Sequence, residues 1–390
     1  MSELADKRLF IYVTLLLSVG ILMSYSLSAY AIVFYNYSQF HFLARELITG
    51  IIGIIIMWGL SYLDLNRQFF IVGFIILVVS ALLIFILPFL PDSIASSAGG
   101  AKRWIRLPGF SLNPIEPFKV GYIFFISWSL SRKFDYNNKY NLLDQIMILI
   151  PHIFVFAVMA FMIAVFQNDL GQVVLLGASF IIILIFAGGS FQLFGIIILG
   201  FGAIGSILIA TSAHRILRLK TWWANIQDLA LAIVPNSFVK DLQVNNLPEP
   251  YQIHNAANAI YNGGFFGTGL GNGTFKLGFL SDVHTDMVLA GISEELGFIG
   301  LAICVALIFF IVYRILRISY RQRNRFYYLF CLGISLLIAI SFIINAFGIV
   351  GITPVKGIAV PFLSYGGSNL LSNCIAIGLV LALSKKVKLK

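Results

Sequence analysis

Between Ser281 and Gly300 the chain reads SDVHTDMVLAGISEELGFIG. An apolar run carries Asp282, His284 and Asp286 at its start and Glu294 and Glu295 about two turns further in. Ionisable groups at membrane depth are expensive to hold, which makes each one a functional hypothesis. For Asp286 two readings stay open: a helix N-cap or first-turn acid stabilised by the helix dipole, or a general base that takes a proton from a hydroxyl. An ordinary aspartate, with a pKa of about 3.9, is a weak base; partial desolvation strengthens it. On a continuous helix Glu294 lies about 80° and Glu295 about 180° round from Asp286. The three therefore share no face and do not form a paired-carboxylate site of the glycosidase kind. Glu294 or Glu295 is expected to pair with a polar group on a neighbouring helix.

Cations gather in two further segments. GGAKRWIRLPGFSLNPIEPFKV (99–120) brings Lys102, Arg103 and Arg106, and HRILRLKTWW (214–223) brings Arg215, Arg218 and Lys220. Arginine and lysine are the usual partners of phosphate oxygens, and the same side chains anchor lipid headgroups. Lys356, in GITPVKGIAVPFLSYGGS, is the only charge between Arg325 and the C-terminal tail. It either snorkels to headgroups or faces an anionic substrate. Asp169, in QNDLG, is explained by turn and capping chemistry. The glycines at 263, 264, 267, 269, 271 and 273 lack the lysine-Ser/Thr ending of a phosphate loop, so tight turns are expected there. Cys304, Cys331 and Cys374 all fall in apolar stretches. They have no disulfide or metal spacing and read as packing residues.

The elements that hold these groups follow from composition. Of 390 residues, 59% are hydrophobic and 11% charged, against about 25% charged in soluble domains; mean hydropathy is +0.95. Apolar stretches of about 20 residues favour membrane helices over a barrel. Stretch 9–33 is too long for a signal-peptide core and lacks the cleavage pattern, so it reads as a retained span. The expected fold is an all-α integral membrane protein, one domain over 1–390, with ten helices near 9–33, 42–62, 69–90, 118–131, 146–166, 170–187, 191–210, 285–313, 327–350 and 362–384. A long extracytoplasmic loop, 211–284, joins the seventh and eighth; connections of that length are usually functional. With both termini inside, the inner segments carry 15 Lys and Arg against 6 on the short outer segments, as the positive-inside rule requires, and the whole net charge of +10 falls on the inner side, where the leaflet attracts it. The basic balance is thereby explained without nucleic acid. The outer face holds a dense mixture of both signs, as a site for a charged substrate would.

With these residues in place, the chain resembles the SEDS family, the polytopic group that contains RodA and FtsW. The resemblance covers nearly the whole chain. It is carried by GAKRWI (99–105 region), NPIEPFK (113–119), QNDLG (167–171), HTD (284–286) with EELG (294–297), and PVKGIAVPFLSYGGS (354–368). It implies a peptidoglycan glycosyltransferase that polymerises lipid II, a disaccharide-peptide on undecaprenyl pyrophosphate, at the outer face of the cytoplasmic membrane. Asp286 matches the family's essential acid and Arg215 its arginine after the seventh span. Lys356 matches a lysine of the FtsW branch that RodA-type chains generally lack, which favours a divisional over an elongation polymerase. Arg103, Gln252 and Ser364 complete the expected substrate-binding set. The expected partners are lipid II, a class B penicillin-binding transpeptidase and other divisome proteins. No protein-held metal site and no organic cofactor are expected; a divalent cation is a candidate helper at the leaving pyrophosphate. The alternatives are a RodA-type polymerase, a lipid II flippase, or a division scaffold. The chain departs from the family where Asn113-Pro114-Ile115-Glu116 stands for the usual Gln-Pro-Ser-Glu, and where Gln167-Asn168-Asp169 stands for Gln-Pro-Asp. Ser281-Asp282-Val283 replaces the usual Pro-Glu before His-Thr-Asp, and there is extra loop sequence near 229–249.

Overall fold

The structure, a computed structural model, describes residues 5–65, 67–98, 101–107, 110–134, 140–231, 244, 251–280, 282–355 and 357–387. Lys356 and most of the extra loop sequence near 229–249 lie outside the described residues.

Each of the ten expected apolar stretches forms a long helix. They are α1 (Lys7–Leu27), α3 (His41–Leu60), α4 (Gln68–Ile86), α5 (Ile115–Lys133), α6 (Leu142–Phe161), α7 (Leu170–Phe186), α8 (Phe191–Ala210), α11 (Val288–Tyr320), α12 (Arg325–Ile349) and α13 (Gly367–Ser384). Eight of them are long and apolar enough to cross a membrane. The other two are α7, apolar but 17 residues long, and α5. Three further helices are α2 (Ala29–Phe34), α9 (Ala213–Leu231) and α10 (Tyr251–Gly263). The chain is a multi-pass membrane protein, and many large apolar side chains, such as Phe191 and Leu199, point outward as a lipid-facing surface requires.

Helix α5 is the middle of the bundle, packed against α4 and α12. Its stretch reads as short in the sequence because Glu116 and Lys119 sit in its first turns. Both are buried and joined at 2.8 Å, so the helix needs no lipid-facing apolar surface there. At its crossing with α4, a Cβ on Gly121 would stand 2.6 Å from Leu77 Cα, and one on Gly73 would meet the Phe124 ring. Small residues permit this approach, which is how membrane helices gain contact where burial from water cannot drive them together. Phe69, Phe124 and Phe330 fill the space between α4, α5 and α12 with tilted and edge-on ring contacts. The three cysteines are buried and free, as packing residues.

Both described termini lie at one end of the bundle. Asp6 caps α1 through the N–H groups of Arg8 and Leu9, receives the Arg314 guanidinium at 2.6 Å, and donates its own N–H to Ser384 Oγ. The groups singled out for chemistry lie at the other end.

Four features differ from expectation. The segment after α4 is a three-stranded antiparallel sheet: β1 (Ala95–Ala98), β2 (Ala101–Leu107) and β3 (Phe110–Leu112). The loop 211–284 is partly helical, through α9 and α10. The first span breaks after Leu27, and α2 follows as a separate turn-and-a-half. The eighth and tenth spans begin at Val288 and Gly367, later than 285 and 362, so Asp286 and Ser364 stand in the segments before them.

Candidate functional site

The HTD segment is held as a turn. Asp282 takes a left-handed φ of 52°, and its carbonyl accepts from both the N–H and the Oγ1 of Thr285 at 2.9 Å. Asn345 Nδ2 on α12 donates to Asp286 O at 2.6 Å and to Ile358 O at 2.8 Å. Tyr365 N–H donates to His284 O at 2.8 Å. The His284 ring packs edge-on against Phe42 and beside Tyr365. One polar side chain and one backbone bond thus fasten the turn to the segment between α12 and α13.

The Asp286 carboxylate is left without an ion pair among the described residues, bonded only by its own N–H and the Thr285 hydroxyl. Met287 is the N-cap of α11, with no side-chain capping bond, so the capping reading has no hydrogen bond behind it. Its one described side-chain contact is a long one, from Thr285 Oγ1 at 3.5 Å. The backbone of Gly357 passes close by: a Cβ there would stand 3.5 Å from Asp286 Oδ2. Burial, reinforced by the Asp282 charge, raises the carboxyl to about 6, against opposing effects of its own backbone N–H, the Thr285 hydroxyl and the Arg218 charge. Burial lowers His284, with Asp282 acting in the opposite sense.

Asp286 opens on a cavity of about 640 Å³, within the range of small-molecule sites. Arg45 and Glu46 from α3, Arg103 and Trp104 from β2, Glu116 from α5, Asp169 and Gln172 from α7, Asp282, and the 357–369 segment complete its lining. Arg103 ties the sheet to the α6–α7 turn, donating to Gln167 O at 2.8 Å and Asn168 O at 2.9 Å. Asp169 caps α7 through Gln172 N–H at 3.3 Å, as its turn sequence suggested. Burial raises its carboxyl, and the Arg103 charge offsets part of the effect. Glu116 accepts from Lys119 and from Asn369 Nδ2, each at 2.8 Å. Glu46 is 3% exposed, and its Oε2 has no partner among the described residues.

Of the expected site residues, Asp286 and Arg103 line the cavity, and Lys356 lies outside the described residues beside the lining Gly357. Three stand elsewhere. Arg215 donates to Leu208 O, Ala164 O and Asn168 Oδ1, so its guanidinium fastens α9 to the bundle. Gln252 is half-buried in the first turn of α10. Ser364 is buried and accepts from Val360 N–H at 2.8 Å, closing the turn before the lining residues Tyr365–Asn369. Sequence reasoning missed Arg45 and Glu46; the available signal was a charged pair inside the apolar run HFLARELITGIIGIIIMW.

Glu294 and Glu295 hold the glycine-rich loop and do not face Asp286. Glu294 Oε1 accepts from Thr274 N–H, Phe275 N–H and Asn262 Nδ2. Glu295 accepts from Lys276 Nζ at 2.6 Å and from Ser26 Oγ on α1, so the expected interhelical partner is Ser26. Gly264, Gly267, Gly269 and Gly271 take the left-handed backbone of tight turns, as expected, whereas Gly263 is the last residue of α10. At Gly297, φ is 68°, and a Cβ would stand 2.3 Å from Gly267 N, so α11 is broken where the loop crosses it. Asn168 also has a left-handed φ, 50°. A proline ring cannot adopt it, so the family's usual proline is incompatible with this turn. Among the described residues no group of three His, Cys, Asp or Glu side chains could hold a metal ion.

The family model described as "Cell cycle protein" (FtsW/RodA/SpoVE) matches residues 7–389. A curated relative, the probable peptidoglycan glycosyltransferase FtsW of Helicobacter pylori, is 54% identical over 98% of this chain and 99% of its own. Two solved structures share the fold at 17% identity. One is a chain of a peptidoglycan synthase complex that coordinates polymerization and crosslinking (TM-score 0.67, 98% of both chains covered). The other is the rod shape determining protein RodA of Thermus thermophilus (TM-score 0.62, covering 99% of this chain and 98% of that one). A match running almost from end to end, over the motifs that build the cavity, means that this chain belongs to the FtsW/RodA/SpoVE family.

Proposed function

We propose that the protein is a peptidoglycan glycosyltransferase of the FtsW type. It polymerises lipid II into β-1,4-linked glycan at the outer face of the cytoplasmic membrane, with both termini in the cytoplasm. The observation that carries the reading is the Asp286 carboxylate, without an ion pair among the described residues and raised to about 6 at the wall of a polar cavity. At pH 7 such a group is mostly ionised, yet it is a stronger base than an exposed aspartate.

In the proposed step the acceptor sugar's 4-hydroxyl gives its proton to Asp286, and its oxygen bonds to the anomeric carbon of the donor. The bond from that carbon to the pyrophosphate oxygen breaks, and the electron pair leaves with the lipid pyrophosphate. Displacement from the opposite face inverts the centre and gives the β linkage. Cationic side chains at this end of the bundle stabilise the departing charge, and Lys356 is assigned to that role. Holding two lipid-anchored substrates at one interface makes the encounter effectively intramolecular. Likeness to a chain of a peptidoglycan synthase complex supports a class B transpeptidase as partner, with other divisome proteins around it.

The test is polymerisation of lipid II by purified protein, with and without that transpeptidase, beside an Asp286→Asn variant. Wild type is expected to make glycan and the variant none at equal protein level. Glycan from the variant would remove the base, and lipid II translocation without glycan would replace the polymerase by a flippase.

A further inference from the structure

The face that α9 turns to the bundle is marked by three residues. Arg215 donates to Ala164 O at 2.6 Å and to Asn168 Oδ1 at 3.1 Å. Trp222 Nε1 donates to Gly351 O at 3.1 Å and Ile352 O at 3.2 Å. The Asn225 amide lies 2.8 Å from where a Cβ would stand on Gly351. At about 100° per residue, these three fall within an arc of roughly 80°. Arg218 falls inside the same arc, between the anchors. Yet among the described residues it takes part in no ion pair and no hydrogen bond, and it remains exposed.

The anchors also flank the cavity. Asn168 adjoins the lining residue Asp169, and Gly351 begins the segment that reaches Gly357 beside Asp286. No described side chain of α9 lines the cavity wall, but the helix is fastened beside it at both places, with Arg218 between the fastenings. The positive charge of Arg218 is felt at Asp286, where it favours the ionised carboxylate. Arg215, by contrast, has its guanidinium filled by carbonyl and amide oxygens.

We propose that Arg218 is the side chain of α9 that binds the pyrophosphate of the polyprenyl-linked donor, while Arg215 is a positioning residue that sets α9 in place. The proposal rests on the polymerase reading above and deepens it. A guanidinium offers two parallel N–H groups to phosphate oxygens. The pyrophosphate gains a further negative charge as the anomeric C–O bond breaks, so the contact strengthens along the reaction. Exposure suits the role, because the group must release product to the lipid phase after each transfer. Lys220, about 160° round the helix from Arg218, lies outside the anchored arc.

The experiment measures binding of undecaprenyl pyrophosphate, and of undecaprenol as the uncharged control, to the full chain in phosphatidylcholine nanodiscs. Arg218→Ala is expected to weaken pyrophosphate binding at least about tenfold, or about 1.4 kcal/mol, and to leave undecaprenol binding unchanged. Arg218→Lys should recover part of the loss, and Lys220→Ala should match wild type. Wild-type binding by Arg218→Ala would overturn the assignment, as would an equal loss for undecaprenol, which would mean that α9 had moved. Displacement of the pyrophosphate lipid by phosphatidylglycerol at equal concentration would also overturn it, making Arg218 a headgroup anchor. Binding needs no turnover. Wild-type discs that bind the ligand but make no glycan would therefore remove the polymerase reading and leave the Arg218 contact standing.

Discussion

Replacing Asp286 by Asn should abolish polymerisation and also make the folded protein more stable. The carboxyl is raised from 3.8 to about 6 because burial and Asp282 disfavour its charge. A group whose pKa is higher folded than unfolded contributes stability that is complete below the unfolded pKa. That contribution is lost as pH rises through the folded one. Wild type should therefore lose stability between about pH 4 and pH 6 relative to a variant without the group. The shift of about two units corresponds to an upper limit of about 3 kcal/mol at neutral pH, reduced by solvent reaching the partly exposed side chain. Asn keeps the shape and carries no charge to desolvate. The assay is thermal unfolding of both proteins in nanodiscs at pH 7.5 and pH 4.5, beside lipid II polymerisation across the same range. The variant is expected to melt higher at pH 7.5, with the gap closing at pH 4.5. Wild-type activity should fall about tenfold per unit below pH 6. An Asn variant that melts lower at pH 7.5 would refute the reasoning, because the carboxylate would then be a structural partner. So would activity that persists unchanged to pH 4.5.

Glu295→Gln should destabilise the protein by about 3–5 kcal/mol by leaving the Lys276 charge buried and unpaired. The double variant with Lys276→Met should recover most of this, read from unfolding midpoints of the set. Lys356→Met should insert normally and lower polymerase activity at least about tenfold, a barrier change of about 1.4 kcal/mol. Lys356→Arg should recover part of it, and equal activity of Met and wild type would reduce Lys356 to a headgroup anchor. In intact cells, Asn245→Cys should react with an impermeant thiol reagent and Asn324→Cys should not; labelling of Asn324→Cys would invert the topology.

Much of this molecule is written locally. The ten apolar stretches become ten helices because a predominantly apolar run of about 20 residues can satisfy its backbone in hydrocarbon only as helix. Asp286 is legible because a carboxylate there conflicts with its surroundings. What was not legible depends on neighbours distant in sequence. Arg45 and Glu46 look like the end of a span until the fold turns them toward Asp286 and Tyr365. Arg215 carries the charge expected of a phosphate ligand, but Ala164 and Asn168 occupy it, a contact across 51 and 47 residues. The sheet at 95–112 was read as loop, although Gly99-Gly100 between two short polar-apolar runs is a hairpin signal. The start of α11 was placed three residues early because the turn that carries Asp286 is fixed by Asn345, which no local pattern announces.

The clamp formed by Ser26, Lys276 and Glu295 joins positions 269 residues apart, and that distance has a consequence for biogenesis. The first helix enters the bilayer long before its partner exists, with Ser26 bonded to nothing on the far side. Lys276 is synthesised later, and its counter-charge arrives only with the eighth long helix. Until then the glycine loop has no surface to lie on, and the HTD turn lacks Asn345 and Tyr365, which are synthesised later still. A chain arrested after its seventh long helix therefore lacks Lys276, Glu295, Asn345 and Tyr365 alike, and this end of the bundle can close only once the last helices have docked.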